Sequence, residues 1–319
     1  MKNFDPKEYI DSLALREGDI PIMEKYINEV LDVYTGATDL LASIMSALGR
    51  QVNPPGKPRY YPEKIKLDLP ITDRCNLSCA SCSHFAPLAK DAPMIPKEDI
   101  DASLLLLKEA CPNEVGEIFI LGGEPLLHPE LTDIIAIARR MFMNASIYVV
   151  TNMIALKENI GKVSTALREN MAHLAYSKYG TVNEKHVEEG VHEIRRCGIG
   201  TILFGEDPAQ FTSYMKSEKP IFPAVMKPSC QMKTCLTLRG PYLYLCSPVT
   251  YLEYPNRAFG MHLEASRYDR INLRDVEHGH EVMALSKLPN PFCRHCDVEH
   301  NHKIGWRPSR KERSEWFMN

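Results

Sequence analysis

Between residues 64 and 211, short apolar runs alternate with amphipathic stretches, and this alternation leaves few folds open to the chain. Lys66 to Thr72 reads as a strand, Asp101 to Ala110 as a helix, and Glu117 to Leu121 as a strand running into Gly122-Gly123. Leu131 to Met141 reads as a helix, Ser146 to Thr151 as a strand, and Met171 to Ser177 as a weaker strand. Asn183 to Cys197 follows as a helix and Thr201 to Phe204 as another strand. Such alternation implies an α/β fold with parallel strands joined by right-handed crossovers. About six strand–helix units suit a partial (β/α)6, TIM-like barrel, of which five strands can be named, and in such barrels chemistry gathers at the C-terminal strand ends.

The flanks read differently. Residues 1–62 form a helical N-terminal extension and linker. Ile20-Pro21-Ile22 breaks it, Glu24 to Leu48 carries apolar residues at helical spacing, and Pro54-Pro55-Gly56-Lys57-Pro58 is a stiff connection. The barrel is expected over residues 63–227. Residues 228–305 are rich in Cys, Tyr, Pro and His and lack periodicity, as in a small domain that needs a metal or disulfide staple. A last helix, Ser309 to Trp316, is expected within residues 306–319, with Trp306 and Trp316 packing it onto the barrel.

A net charge of −3 with no basic run gives no field favouring nucleic acid or an anionic membrane. The apolar runs near Leu104 and Ile134 are broken by charge well short of the roughly 20 residues a membrane helix needs. The start, Met-Lys-Asn-Phe-Asp, has no signal-peptide core, so a cytoplasmic setting is expected. In that reducing compartment, ten cysteines point to metal binding or catalysis more than to disulfides. Cys111 and Cys197 lie in or beside helical stretches and read as small buried hydrophobes.

Cys75, Cys79 and Cys82 form C-x3-C-x2-C directly after the first barrel strand. Three thiolates can wrap one face of an iron–sulfur cubane and leave one iron open, which a catalytic centre needs. A zinc knuckle completed by His84, or three unrelated cysteines, remains open from spacing alone.

Cys75-Asn76-Leu77-Ser78-Cys79 and the later Gly122-Gly123-Glu124-Pro125, in this order and distance, resemble the radical S-adenosylmethionine (SAM) superfamily over about residues 66–300. The resemblance implies a [4Fe–4S] cluster on Cys75, Cys79 and Cys82 with SAM on the open iron. It further implies reductive cleavage to methionine and a 5′-deoxyadenosyl radical, then hydrogen-atom removal from a substrate carbon. A flavodoxin- or ferredoxin-type reductant would supply the electron. Gly122, Gly123, Glu124 and Pro125 would meet the SAM methionyl group, the glycines allowing close backbone approach and Glu124 accepting from the ammonium; an ordinary strand-to-helix turn is the plain alternative. Thr151 and Asn152, and Ser177 and Lys178, end the next two strands and would contact SAM or substrate, turn chemistry being the alternative for Thr151 and Ser177. Glu206 and Asp207 would face substrate or line a solvated loop. The residue before the third cysteine is commonly aromatic in the family; Ser81 stands there, which leaves Phe85 to pack the adenine.

Cys230, Cys235, Cys246, Cys293 and Cys296 make a second group. Leu238 to Cys246 reads as a hairpin delivering a thiolate, and Cys293-Arg294-His295-Cys296 as a knuckle; together they can supply four ligands to an auxiliary [4Fe–4S] cluster or to zinc. This region resembles the twitch subdomain, a shorter relative of the SPASM domain, whose spacing selects Cys230, Cys246, Cys293 and Cys296. Cys235 is then left as a substitute ligand, an inert thiol or a hydrogen-atom donor. His295, His300 and His302 read as surface or substrate-facing residues. The architecture is similar to that of aminocyclitol dehydrogenases and aminoglycoside epimerases, so a sugar or aminocyclitol is the expected substrate, and Cys235 tips the reading toward epimerisation. A maturase acting on a ribosomal peptide is the alternative, against which the helical first 60 residues count. A non-catalytic metal-stapled binding module is the remaining class.

Overall fold

The computed structural model describes residues 1–52, 64–205, 210–213, 216–230 and 232–318. The proline-rich connection at 53–63 and the pair Glu206 and Asp207 lie outside the described residues.

Three helices open the chain: α1 (Pro6–Leu13), α2 (Ile20–Val33) and α3 (Thr38–Ala47). Asp5 caps α1, accepting from the backbone N–H groups of Lys7 and Glu8. The break expected at Pro21 falls earlier, at Ala14, which takes a left-handed conformation. Pro21 sits instead in the first turn of α2, where its missing N–H costs nothing. The periodic stretch from Glu24 to Leu48 is two helices, because the chain turns at Thr35–Ala37. There Gly36 leaves room for the His280 ring, which a Cβ would meet at 3.0 Å.

The alternating region forms β1 (Ile65–Thr72), α4 (Lys97–Ala110), β2 (Val115–Gly122), α5 (Leu131–Met141), β3 (Ser146–Thr151), α6 (Leu156–Glu169), β4 (His173–Tyr176), α7 (Glu184–Arg196) and β5 (Thr201–Leu203). The strands pair in parallel and in sequence order. Leu67, Leu69, Ile118, Ile120, Ile147, Val149 and Leu174 point to the helices and are buried with Leu104, Leu107, Ile134, Ile135, Leu167 and Ile194. Burial of this one face drives the assembly. The opposite face carries half-buried rings: Phe119 stacks on Tyr148 at 5.1 Å, and Tyr148 lies 5.6 Å from His173.

Five parallel strands, not six, are consecutive. The sheet then continues on the far side of β1 with strands from the cysteine-rich region. After the short strand β6 (Gln210–Ser213), β7 (Leu236–Arg239) pairs parallel to β1, and β8 (Tyr242–Tyr244) and β9 (Arg270–Asn272) follow antiparallel. The order is β5-β4-β3-β2-β1-β7-β8-β9, an eight-stranded sheet with two open edges: a mixed α/β fold of partial-barrel type, not closed. The hairpin expected over 238–246 is β7–β8, turning at Gly240 with φ +56°. Two short helices, α8 (Glu253–Phe259) and α9 (Gly279–Lys287), complete the region, and β10 (His302–Gly305) pairs antiparallel with β6.

The helix expected over Ser309 to Trp316 does not form; only a 3-10 turn at Arg313–Glu315 does. The polar groups of the tail are engaged elsewhere. Ser309 N–H donates to the Ser78 carbonyl at 2.8 Å, and the Arg307 carbonyl accepts from Ala80 N–H at 3.0 Å. Trp316 is buried as expected, against Phe85, Phe259 and Phe317. Cys111 is buried in the main core and Cys197 packs against it.

Candidate active site

The Cys75 loop leaves β1 at Thr72 and is fastened along its whole length. Gly123 N–H donates to the Thr72 carbonyl at 2.7 Å, and Glu124 N–H to the Arg74 carbonyl at 2.8 Å. The two glycines serve this contact: a Cβ at Gly122 or Gly123 would lie 2.0 Å from the carbonyl oxygen of Thr72 or Arg74, respectively. The approach that needs glycine here is thus loop to loop. From the other side the tail closes down. The Ser81 hydroxyl, on a residue at φ +57°, donates to the Glu315 carbonyl at 2.7 Å, and Trp316 Nε1 donates to the Cys82 carbonyl at 2.9 Å. An aromatic at position 81 would displace the tail. Phe85 is fully buried among Trp316 and Phe317, so it does not supply the adenine-packing ring.

One cavity at the C-terminal strand ends gathers Cys75, Cys79, Cys82, Gly122, Gly123, Glu124, Thr151, Asn152 and Ser177. Sequence reasoning missed its aromatic wall of Tyr179, Phe204 and Phe211; Tyr179 stacks on Phe211 at 5.6 Å. Two expected contacts lie elsewhere. Pro125 is buried at the start of a 3-10 turn, and Lys178 lines a separate groove along α7 with His192 and Arg195. The groove is on the outer side because alternate residues after β4 point to opposite faces.

Glu124 is 1 % exposed. Its Oε1 accepts from Leu126 N–H at 3.1 Å and the Thr151 hydroxyl at 2.7 Å, and its Oε2 accepts from Asn152 N–H at 2.8 Å. Burial pushes this carboxyl up to about 7, against the pull of the three donors. It ties β2 to β3 from inside. Asn183, also missed, does the same for β3 and β4: its Nδ2 donates to the carbonyls of Asn152 at 2.9 Å and Ser177 at 2.7 Å. Only the recurrence of Asn at strand and helix ends hints at it in sequence. In Glu124→Gln an amide NH2 must face one of these donors, which should cost about 1–3 kcal/mol; urea unfolding of the apoprotein measures the loss.

The three sulfurs face N–H donors. Cys75 Sγ accepts from Leu77 N–H at 3.4 Å and Cys79 Sγ from Trp306 Nε1 at 3.1 Å, while backbone N–H groups of residues 84–86 lie near the Cys82 thiol and favour its ionised form. Burial raises all three thiols, Cys79 to about 12, so they are neutral until coordination removes the proton. Donors of this kind beside thiolates suit the ligands of an iron–sulfur cluster, whose potential such hydrogen bonds adjust. His84 Nδ1 lies 2.9 Å from the Gly122 carbonyl oxygen, and burial keeps the ring neutral.

In the second group, Cys246 shares its field with Cys230, Cys293 and Cys296, and burial pushes Cys293 up to about 12 and Cys296 to about 11. Cys235 stands apart, near Asp68 and Cys230. Among the described residues, no three His, Cys, Asp or Glu side chains gather as a single metal ion would need. The N-terminal helices buttress this region: the Tyr9 hydroxyl donates to the Pro289 carbonyl at 2.7 Å, and α1 packs on the Pro291–His295 turn. His295 is held by the Ser217 carbonyl at 2.9 Å from Nδ1, and His300 caps itself on Asp297 at the surface; the His302 side chain is outside what the structure describes.

Residues 69–177 match the family model described as the radical SAM superfamily, and that stretch contains the three cysteines, the Gly122–Pro125 turn and Ser177. The chain carries a radical SAM domain. Domains of this family bind a [4Fe–4S] cluster and SAM, and the cavity described above is where this one presents its thiols. The chain is 28% identical over 147 residues to molybdenum cofactor biosynthesis protein 1 of Bos taurus, covering 43% of this chain and 23% of that protein. It is 31% identical over 154 residues to GTP 3′,8-cyclase of Paenarthrobacter nicotinovorans, covering 47% and 41%. It spans less than half the length of these relatives. Among solved structures, BtrN in complex with AdoMet and 2-DOIA is similar at a TM-score of 0.47 and 13% identity, covering 73% of this chain and 93% of that one.

Proposed function

We propose that this chain reductively cleaves SAM and removes a hydrogen atom from a carbon of a polar small molecule, a sugar or aminocyclitol, leading to its epimerisation or oxidation. The observation that carries the reading is the single cavity in which three donor-lined thiols meet the Gly122–Glu124 turn. Cys75, Cys79 and Cys82 would hold the cluster. The backbone of Gly122 and Gly123, with Thr151, Asn152 and Ser177, would hold SAM, and the Tyr179, Phe204 and Phe211 rings would shield it from water. When bound, the cluster and SAM supply the electron transfer and the radical. Glu124 acts by fixing the turn, since its oxygens already accept three hydrogen bonds.

Cys230, Cys246, Cys293 and Cys296 would hold an auxiliary cluster in a twitch-like segment after residue 227, with the radical SAM barrel over 63–227 and the extension over 1–62. A flavodoxin- or ferredoxin-type protein would reduce the first cluster. No described helix is long and apolar enough to cross a membrane; a cytoplasmic setting is part of this reading. Residues 1–52 contain three helices and no strand, and they pack on α9 and the Pro291–His295 turn instead of lining the cavity, which favours a small molecule over a peptide.

Anaerobic reconstitution tests the reading: about eight iron and eight sulfide per chain are expected for two cubanes, together with 5′-deoxyadenosine on reduction. Zinc in place of iron, or intact SAM, would refute it. Cys235 decides the outcome class. If its thiol gives a hydrogen atom to the substrate radical, leaving a thiyl that one electron from the auxiliary cluster and a solvent proton would restore, Cys235→Ala abolishes uptake of solvent deuterium into product, measured by mass spectrometry; unchanged uptake removes Cys235 from the reaction.

A further inference from the structure

Lys227 is 3 % exposed, and its Nζ has no hydrogen-bond partner among the described residues. A buried ammonium left alone is costly, so such a group marks a missing counter-charge. The groups around it are the thiols of Cys293, Cys246 and Cys230, and the carboxyl of Asp269. Asp269 is already committed, accepting from the backbone N–H groups of Phe292 and Ser266, both at 2.7 Å. Asn290 is fully buried on the same side. Its Oδ1 accepts from Cys293 Sγ at 3.4 Å, while its Nδ2 has no partner. A coordinated Cys293 has no proton to give, and an amide turned over then presents Nδ2 to that sulfur. Two orphaned donors therefore lie by the same cysteines, Lys227 near Cys230, Cys246 and Cys293 and Asn290 beside Cys293.

We propose that Lys227 and Asn290 are positioning residues for the auxiliary cluster, offsetting its negative charge and donating to its sulfurs so that it is more easily reduced than the same cysteines alone would make it. The inference rests on the two-cluster reading above. Charge and hydrogen bonds to sulfur are established determinants of cluster potential. An easily reduced second cluster is what oxidation of a substrate radical would call for.

The test is an EPR-monitored redox titration of the full-length chain carrying Cys75→Ala, Cys79→Ala and Cys82→Ala, which silences the first cluster. Lys227→Met should lower the reduction equilibrium constant about tenfold or more, a downward shift of about 59 mV for one electron. Asn290→Leu should lower it by a smaller factor, and Lys227→Arg, which keeps the charge, should restore most of the parent value. An unchanged midpoint in Lys227→Met with its iron still bound overturns the proposal. If that variant fails to take up iron, Asn290→Leu decides: a lowered midpoint supports the proposal and an unchanged one overturns it. If the triple-alanine parent itself binds no iron, the second-cluster reading fails, and this inference with it.

Discussion

Gly123→Ala should destroy the site from the backbone outward. A Cβ there would stand 2.0 Å from the Arg74 carbonyl oxygen, 2.3 Å from its carbon and 2.7 Å from the Asp73 carbonyl oxygen. None of these atoms belongs to a flexible side chain. Relief requires the Cys75 loop to move off β2, breaking the hydrogen bonds from Gly123 to Thr72 and from Glu124 to Arg74. The loss should exceed about 3 kcal/mol, beyond ordinary overpacking because backbone must yield, and iron at the first site should fall to background. Gly161→Ala is the matched control. Gly161 lies in α6, and a Cβ there would meet nothing within 4 Å; alanine should be neutral or gain up to about 1 kcal/mol. Urea unfolding with iron analysis measures both. Equal, small effects would show that the close approach of the two loops does not matter.

Cys79→Ala should bring formation of 5′-deoxyadenosine below detection while the chain stays folded. Cys79 lies on a loop whose position is set by backbone contacts that alanine keeps: the neighbouring Ala80 N–H still donates to the Arg307 carbonyl, and Ser309 N–H to the Ser78 carbonyl. What disappears is one of three sulfurs, together with the acceptor for Trp306 Nε1. A cubane held at two corners is not retained. Cys111→Ala is the opposite case. Cys111 is fully buried in the main core, so its loss should cost about 1 kcal/mol in stability and leave iron and activity intact. The contrast separates cysteines that serve as ligands from those that only pack. Retained SAM cleavage in Cys79→Ala would remove the first cluster from the account.

The strands and helices over residues 64–203 were legible where apolar periodicity is strong; the bounds of α5 and β3 follow directly from it. Helix α6 was not read, because Asn159, Gly161 and Ser164 dilute its stripe to Leu156, Val163, Ala166 and Leu167. The addition of β7 to β1 was also hidden, since pairing across about 170 residues leaves no local pattern. The thiol spacing picked out three residues that the structure brings into one cavity, but not what fixes them there. Trp306 and Asn183 act through contacts between segments apart in the chain, and the proline-interrupted tail that holds the cysteine loop reads locally as a helix. The Gly122-Gly123 pair was legible as a close approach, though the partner it approaches is the Cys75 loop.

The central claim is that three cysteines hold a cluster with one iron open to SAM. The EPR spectrum of the reduced first cluster, recorded in a Cys293→Ala chain before and after SAM is added, tests it most directly. A spectrum that changes with SAM, and that is missing altogether once Cys79 is also replaced, is the predicted result; a spectrum indifferent to SAM would contradict it.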